Sequence, residues 1–436
     1  MDNVFKVVSA LYANTYPSVN AVGPTGKKNN TILMGSFVKL LDGKVGQWQK
    51  IYAFGTEGWI DENQLSNTSG FKCFFVDVGQ GDGALIEIGN EQEGMKILID
   101  GGPSDNLARY LNHYQYKYYF NNSKKVRIDY IFISHFDKDH YQGLIDIIND
   151  PHYEFGTIYH NGIGKFDIDK KPFPAEYNTT LGATVNEQGI RYLKTHCNDL
   201  DDLNSLQAAG GMQNLLEKFL LAVNSAFTQG RLKHFKRIDY NTEDLSWVIN
   251  EVSFKIKILG PVTSQISSGL AYKYFDDPAH TVNGHSLVLK LIYGNRSFLF
   301  GGDLNIPAED HLLNHYQDEN PFEVDVAKSC HHGASEFTTD YMGKVNPLAT
   351  VISSGDNESY SHPRADAIGC AGKYSRSNRP LVFSTELARS SNVETDEVLY
   401  GMINLRCDGE RIIMAQMKES HSKGNVWDLY EEELNP

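Results

Sequence analysis

Short apolar runs broken by glycine fill the first part of the chain. Val7-Val8, Phe37-Val38-Lys39-Leu40, Trp48-Gln49-Lys50-Ile51-Tyr52 and Gly58-Trp59-Ile60 are separated by Gly43, Gly46, Gly55 and Gly58. Aromatic and β-branched runs punctuated in this way predict the strands of a small barrel over residues 1–67. The polar stretch Ser66-Asn67-Thr68-Ser69-Gly70 then reads as a linker. Beyond it, Phe74-Phe75-Val76-Asp77-Val78, Ala84-Leu85-Ile86-Glu87-Ile88 and Lys96-Ile97-Leu98-Ile99 predict three strands, with a helix from Asp105 to Tyr116. The continuous apolar run Tyr130-Ile131-Phe132-Ile133 predicts a buried strand that stops at Ser134. Between about residues 164 and 250, Leu215, Leu216, Phe219, Leu220, Val223 and Phe227 recur at helical spacing and predict an amphipathic helix. That segment reads as a mostly helical insertion.

A chain of 436 residues with 41% hydrophobic content has enough apolar surface for a large core and suggests two domains, or one large domain with an appendage. The formal charge of -15 argues against broad adhesion to nucleic acid or anionic membrane. Any polyanionic substrate must then be drawn in by local features such as bound metal. Five scattered cysteines, Cys73, Cys197, Cys330, Cys370 and Cys407, show no paired spacing, which suggests a reducing compartment. The first residues carry neither a basic start nor a long apolar core, and no run approaches membrane-spanning length, so the expectation is a cytoplasmic protein with no membrane partner. The densest basic cluster, Arg231-Leu232-Lys233-His234-Phe235-Lys236-Arg237, reads first as a solvated helix face and second as an electrostatic guide for a phosphate substrate.

Candidate chemistry concentrates in Ser134-His135-Phe136-Asp137-Lys138-Asp139-His140. Four imidazole or carboxylate ligands fall within six residues at the end of a buried strand, as a dinuclear hydrolytic site requires. Asp303 follows the strand Phe298-Leu299-Phe300 and two glycines that permit close backbone approach, which makes it the candidate bridging ligand.

Two resemblances follow from these residues. The first segment, through Gly35, Val38, Gly46, Trp48, Lys50, Ile51, Gly55, Gly58, Trp59 and Ile60, resembles the bacterial SH3-like domain, which implies a binding module for a protein partner or a packing role. From about residue 72, Phe75-Val76-Asp77-Val78-Gly79-Gln80-Gly81-Asp82, Leu98-Ile99-Asp100-Gly101-Gly102 and the 134–144 stretch resemble the metallo-β-lactamase superfamily, specifically the hydrolase domain of ComEC-type competence proteins. Phe298 to Asp303, Lys328-Ser329-Cys330-His331-His332-Gly333, Ser361-His362-Pro363 and Gly401-Met402-Ile403-Asn404-Leu405 continue the likeness. It implies an α/β fold, an αββα sandwich of two facing sheets with helices outside, over residues 72–436.

The resemblance also implies a ligand set: His135, Asp137 and His285 for one metal, Asp139, His140 and His362 for the other, and Asp303 shared between them. His160 is the rival to His285. Asp137 stands where a histidine is commoner in the superfamily, and a further carboxylate moves preference from zinc toward manganese without excluding zinc. Of the two histidines before Gly333, His332 is the expected proton donor to the leaving oxygen, acting with Asp139 and Asp303. The expected function is a dinuclear metal-dependent hydrolase, a phosphodiesterase or nuclease acting on nucleic acid or a nucleotide through a bridging hydroxide. The alternatives are a non-catalytic binding or regulatory protein on a hydrolase-like scaffold, or a hydrolase of a non-phosphate ester or lactone.

Overall fold

The computed structural model describes residues 4–22, 27–90, 94–355, 359–385, 403–422 and 424–435. Gly401 and Met402, which begin the closing motif, lie outside the described residues.

Two large sheets organise the chain beyond residue 70. The first has nine strands, and the run of Met95–Ile99, Val126–Ile133, Tyr153–His160 and Leu232–Arg237, which ends at one edge, is parallel. The second has seven, of which Arg296–Phe300, Val326–Lys328, Ala349–Ile352 and Leu381–Ser384 are parallel. Alternation along Phe71–Phe75 decides which face is core. Phe71 stacks on Phe298 at 4.7 Å and Phe75 on Phe300 at 5.9 Å, so these side chains close the gap between the sheets. Phe74 turns the other way and joins the helices that cover the outside of the first sheet, with Leu107, Leu144, Phe219 and Val223. Leu299, Ala308, Leu312 and Tyr341 form the corresponding outer layer on the second sheet. The order of layers is therefore helix, sheet, sheet, helix.

Several expected elements form with shifted limits. The first strand beyond the linker runs Phe71–Phe75, while Ala84–Ile88 and Met95–Ile99 follow as the alternation predicts. The helix expected over 105–116 is Asn106–Tyr110, continued by a wider π-helical turn, Leu111–Gln115. The stretch 66–70 is no loose linker: Ser69 donates from its Oγ to the Gly89 carbonyl at 2.8 Å, and a Cβ on Gly70 would meet the Cys407 carbonyl oxygen at 2.3 Å.

Two expectations for the insertion need correction. It does hold the amphipathic helix, Asn214–Thr228, but it also holds strands Thr184–Glu187, Ile190–Leu193, Leu232–Arg237 and Leu245–Ile249, so it is not mostly helical. The basic cluster is the edge strand of the nine-stranded sheet rather than a helix face. Phe235 alternates inward while Lys233, His234 and Lys236 stay exposed; charged residues of this kind protect an edge from pairing with another chain.

The first segment forms a five-stranded antiparallel sheet from Phe5–Val8, Phe37–Val45, Trp48–Ala53, Thr56–Asp61 and Leu65–Ser66, beside the hairpin of Tyr12–Thr15 and Asn30–Leu33. Trp48 and Trp59 are half-buried. The segment lies against the outer face of the first sheet, where Leu11 and Met34 meet Ile413. Charge is buried at this seam. Lys72 and Glu87 pair at 2.9 Å with both side chains almost fully covered, and Glu87 also accepts from the Tyr116 hydroxyl at 2.8 Å. Burial alone would raise the Glu87 pKa, but Lys72 and Lys96 outweigh it and lower it from 4.5 to about 2. The folded state thus favours the carboxylate. Its contribution is complete above the ordinary value, is lost as pH falls through about 2, and amounts to roughly 3 kcal/mol. Glu87→Gln is expected to lower stability at neutral pH by about that amount and to flatten the stability profile between about pH 4.5 and 2, read by urea unfolding across that range. An unchanged profile would show that Lys72 is neutralised in another way.

Candidate metal centre

The C-terminal ends of the parallel strands from both sheets converge on one place. Val126–Ile133 ends in Ser134 and His135, and the chain then turns into the short helix Lys138–Tyr141, which carries Asp139 and His140. From the second sheet, Arg296–Phe300 leads to Asp303, and Val326–Lys328 leads to His331 and His332. Asp139, His140, Asp303 and His332 each offer an atom within 4.8 Å of the others.

Glycines permit this crowding. A Cβ on Gly302 would lie 2.7 Å from that of Ser286 and 2.9 Å from that of Ser134, and its φ of +55° is one that side chains disfavour. On the opposite wall, a Cβ on Gly81 would meet the Asp139 carbonyl oxygen at 2.3 Å. His331 and His332 both hold left-handed backbone, at φ 48° and 54°, before Gly333 at 76°. That turn swings His332 into the cluster.

Each buried imidazole is held by one nitrogen and offers the other. His140 Nδ1 donates to Asp100 Oδ2 at 2.9 Å, and Asp100 is itself fixed by the Ser134 amide and hydroxyl, both at 2.7 Å. His332 Nδ1 donates to the Ser353 carbonyl at 3.1 Å. A carbonyl only accepts, so Nδ1 carries a proton, and Nε2 faces inward. His135 Nδ1 lies 3.1 Å and 3.2 Å from the hydroxyls of Ser134 and Ser286. The Nε2 atoms of all three histidines and Oδ1 of Asp303 are buried without a hydrogen-bond partner. Asp303 Oδ2 lies 3.2 Å from Nε2 of both His140 and His332, without hydrogen-bond alignment.

These orphaned donors fit a cation. The carboxylates of buried Asp303 and partly exposed Asp139 lie within 4.8 Å of each other and repel by up to about 3–4 kcal/mol at an effective dielectric of about 20, unless positive charge lies between them. The protonation balance shows the same demand. Burial opposes the charged form of His140, yet Asp303 and Asp100 raise its pKa well above the usual range; for His332, burial is likewise outweighed by Asp303 and Asp82. Burial opposes ionisation of Asp303, but His140 and His332 hold it well below the carboxylate range. His135 is lowered to about 4 by burial and by His140 beside it, which leaves it neutral as a ligand must be.

The placement of the remaining expected residues differs. Asp137 is bound through Oδ1 to Lys165 at 2.7 Å, a lysine supplied by the insertion. His285 is not brought to the cluster: its Nε2 donates to the Lys273 carbonyl at 2.7 Å and its ring stacks on Phe275 at 4.7 Å. Burial lowers its pKa to about 3, as for a core histidine. The rival, His160, lies between Phe136 and Phe235 and is also outside the group. His362 borders the cluster with its ring 6.3 Å from that of His332, and the Gln80 amide, fixed by the Gly355 N–H, donates to its Nδ1 at 2.9 Å. His332, expected as a proton donor, lies inside the cluster, with Nδ1 on the Ser353 carbonyl and Nε2 directed at Asp139 and Asp303. The sequence reading gave no role to Asp100, Ser134 or Ser286. Asp100 lay inside a quoted motif, and the signal that could have found it is an aspartate at a strand end followed by two glycines.

Asp100→Asn removes the acceptor that orients His140. Metal affinity should fall by roughly 10–100-fold while the fold is retained, as measured by competition with a chelating dye. Unchanged affinity would mean that Ser134 suffices to orient the ring.

No family model matches the chain. A stretch of 100 residues is 31% identical to ComE operon protein 3 of Bacillus subtilis (strain 168), covering 23% of this chain and 12% of that protein. The chain thus spans only a small part of this curated relative. Among solved structures, a long-form RNase Z from yeast overlays with a TM-score of 0.34 at 9% identity, covering 68% of this chain and 39% of the other. CmlA, a diiron β-hydroxylase from Streptomyces venezuelae, gives 0.32 at 12% identity, with 74% and 54% covered. MEM-A1, a subclass B3 metallo-β-lactamase from a soil metagenome library, gives 0.27 at 10% identity, with 60% and 77% covered.

Proposed function

We propose that this chain is a dinuclear metal-dependent hydrolase of the metallo-β-lactamase type, acting on phosphodiesters of nucleic acid or nucleotides. The observation that carries the reading is the set of inward donors that lack partners: Nε2 of His135, His140 and His332, and Oδ1 of Asp303. With Asp139 they would hold the cations, and His362 stands at the rim. Imidazole with carboxylate suits zinc or manganese. Bound divalent cations supply Lewis acidity toward a phosphoryl oxygen and lower the pKa of water.

The protein's own part is orientation and exclusion of water. Asp100 and Ser353 lock the tautomers of His140 and His332, so their inward nitrogens need no rearrangement. Helix Asn214–Thr228 seals the flank, with Phe219 against Phe136 and Tyr141 at 5.7 Å and 5.4 Å. Lys165, held on Asp137 and one-quarter exposed, places a cation from the insertion beside the group, where a phosphate could exchange onto it.

In the same reading, residues 1–67 form an SH3-like module that recruits a protein partner, joined to a hydrolase domain over 72–436. All five cysteines are unpaired, which fits a reducing compartment such as the cytoplasm. Among the described residues no helix is long and apolar enough to cross a membrane.

Elemental analysis combined with turnover of bis(p-nitrophenyl) phosphate tests the proposal. About two metals per chain with chelator-sensitive turnover supports it. Absence of metal would favour a scaffold, and metal with turnover of a thioester or lactone but no diester would move the substrate class.

A further inference from the structure

Away from the metal-ligand cluster, a cavity of about 820 Å³ lies where the first segment meets the outer face of the nine-stranded sheet. That volume falls within the range of small-molecule sites. Lys72, Phe74 and Glu87 form its floor on the sheet, together with Asn404 and Arg406 from the neighbouring strand. Its other wall belongs to the first segment, through Met34, Phe37 and Phe54, and its roof to the turn carrying Tyr114 and Tyr118.

The floor carries charge that the fold does not need for its own pairing. Lys72 and Glu87 neutralise each other, which leaves Arg406 as the excess positive charge among the described lining residues. Arg406 is 4% exposed. Three of its five donors are used, on the Met34 and Leu405 carbonyls and on Asn404 Oδ1, each at 3.0 Å. Its guanidinium lies 4.5 Å over the Phe74 ring, so its plane is fixed. A buried, oriented cation with spare donors is expensive to keep beside a cavity unless an anion meets it there.

The upper wall is the opposite in character. Phe37, Phe54, Tyr114 and Tyr118 are all exposed. Phe54 holds a left-handed backbone at φ 48°, a conformation that bulky side chains avoid.

We propose that this cavity is a second ligand site, separate from the metal centre, that takes a small aromatic monoanion. Its acid group is paired with Arg406, and its ring lies among Phe37, Phe54, Tyr114 and Tyr118. Carboxylates and sulfonates share this chemistry. Because the walls come from both the first segment and the sheet, occupancy ties the two together.

The probe is 1-anilinonaphthalene-8-sulfonate, with its uncharged relative N-phenyl-1-naphthylamine as the comparison, titrated into the full-length chain by fluorescence and calorimetry. The expected result is a single saturable site for the anion, roughly tenfold or more tighter than for the neutral probe, as one favourable charge contact gives. Phe54→Asp, at an exposed position whose left-handed backbone aspartate accepts, removes a ring contact from both probes and adds a negative charge, so it should weaken the anion by about tenfold more than the neutral probe. Tyr118→Ala, also exposed, should weaken both probes. Equal affinity for the two probes, binding without saturation, or anion binding indifferent to both substitutions would overturn the proposal. None of these readouts involves the metal centre, so failure of this site and failure of the hydrolase reading are separately visible.

Discussion

Asp303→Ala is expected to abolish diester turnover and to strip most of the bound metal. Its carboxylate sits between Nε2 of His140 and Nε2 of His332, 3.2 Å from each, and its second oxygen is buried without a partner. No other carboxylate in the cluster approaches both histidines in this way; the second, Asp139, is nearer the surface and pairs with His332 at 3.4 Å. Losing Asp303 therefore removes the group that would screen two cations from each other. The drop in metal affinity should exceed the roughly 10–100-fold expected for an outer partner such as Asp100. Asp303→Asn is the sharper variant, because it keeps the shape of the side chain and removes its charge and one of its two ligand oxygens. Elemental analysis after gel filtration, alongside turnover of bis(p-nitrophenyl) phosphate, measures both effects. Two metals and ordinary turnover in either variant would refute the shared-ligand role.

Local and distant parts of the site differ in how readable they were. His135, Asp139 and His140 were visible because one strand end and one helical turn present all three, so spacing alone brings them together. Asp303 was visible for a related reason, since the two glycines before it mark a close approach that Ser134 and Ser286 then fill. The partners from separate strands were not readable in the same way. His285 and Asp303 are near in sequence, yet the direction of the His285 ring is decided by the Lys273 carbonyl and Phe275. Nothing in its own neighbourhood announces that. The same holds for Asp137, whose carboxylate is claimed by Lys165 from an insertion that reads as peripheral in sequence. In the fold, strands at the sheet centre declared themselves by apolar runs, whereas the basic edge strand Leu232–Arg237 did not, because an edge needs only every second or third residue to be apolar. Its true periodicity was hidden behind its charge.

The histidine pair at residues 331 and 332 supports a second large effect, in which the proposed proton donor is His331 in place of the His332 of the sequence expectation. His332 is almost fully buried, its Nδ1 proton is committed to the Ser353 carbonyl, and its Nε2 faces Asp139 and Asp303. On the proposed reading a nitrogen placed in that way serves as a ligand, exchanging any proton it carries for the cation. His331 is more open, with 23% of its side chain exposed, and its Nε2 lies 3.9 Å from Asp303 while Nδ1 lies 3.9 Å from Glu336. It stands beside the cluster, partly open to solvent, and histidine suits proton transfer near neutrality. His332→Ala should therefore lose metal and turnover together, for good and poor leaving groups alike. His331→Ala should keep its metal. Its turnover of a diester with an alkoxide leaving group should fall by roughly 10²–10⁴-fold, while p-nitrophenolate, which departs without help, is slowed far less. Glu336→Gln is a useful companion, since weakening the carboxylate partner of His331 should produce a smaller loss with the same dependence on leaving group. If His331→Ala slows both diesters equally, or sheds metal, His331 is a ligand or a structural turn residue. Should His332→Ala instead retain its metal and show the selective loss, the proton donor is His332 and its ring must turn in the loaded site.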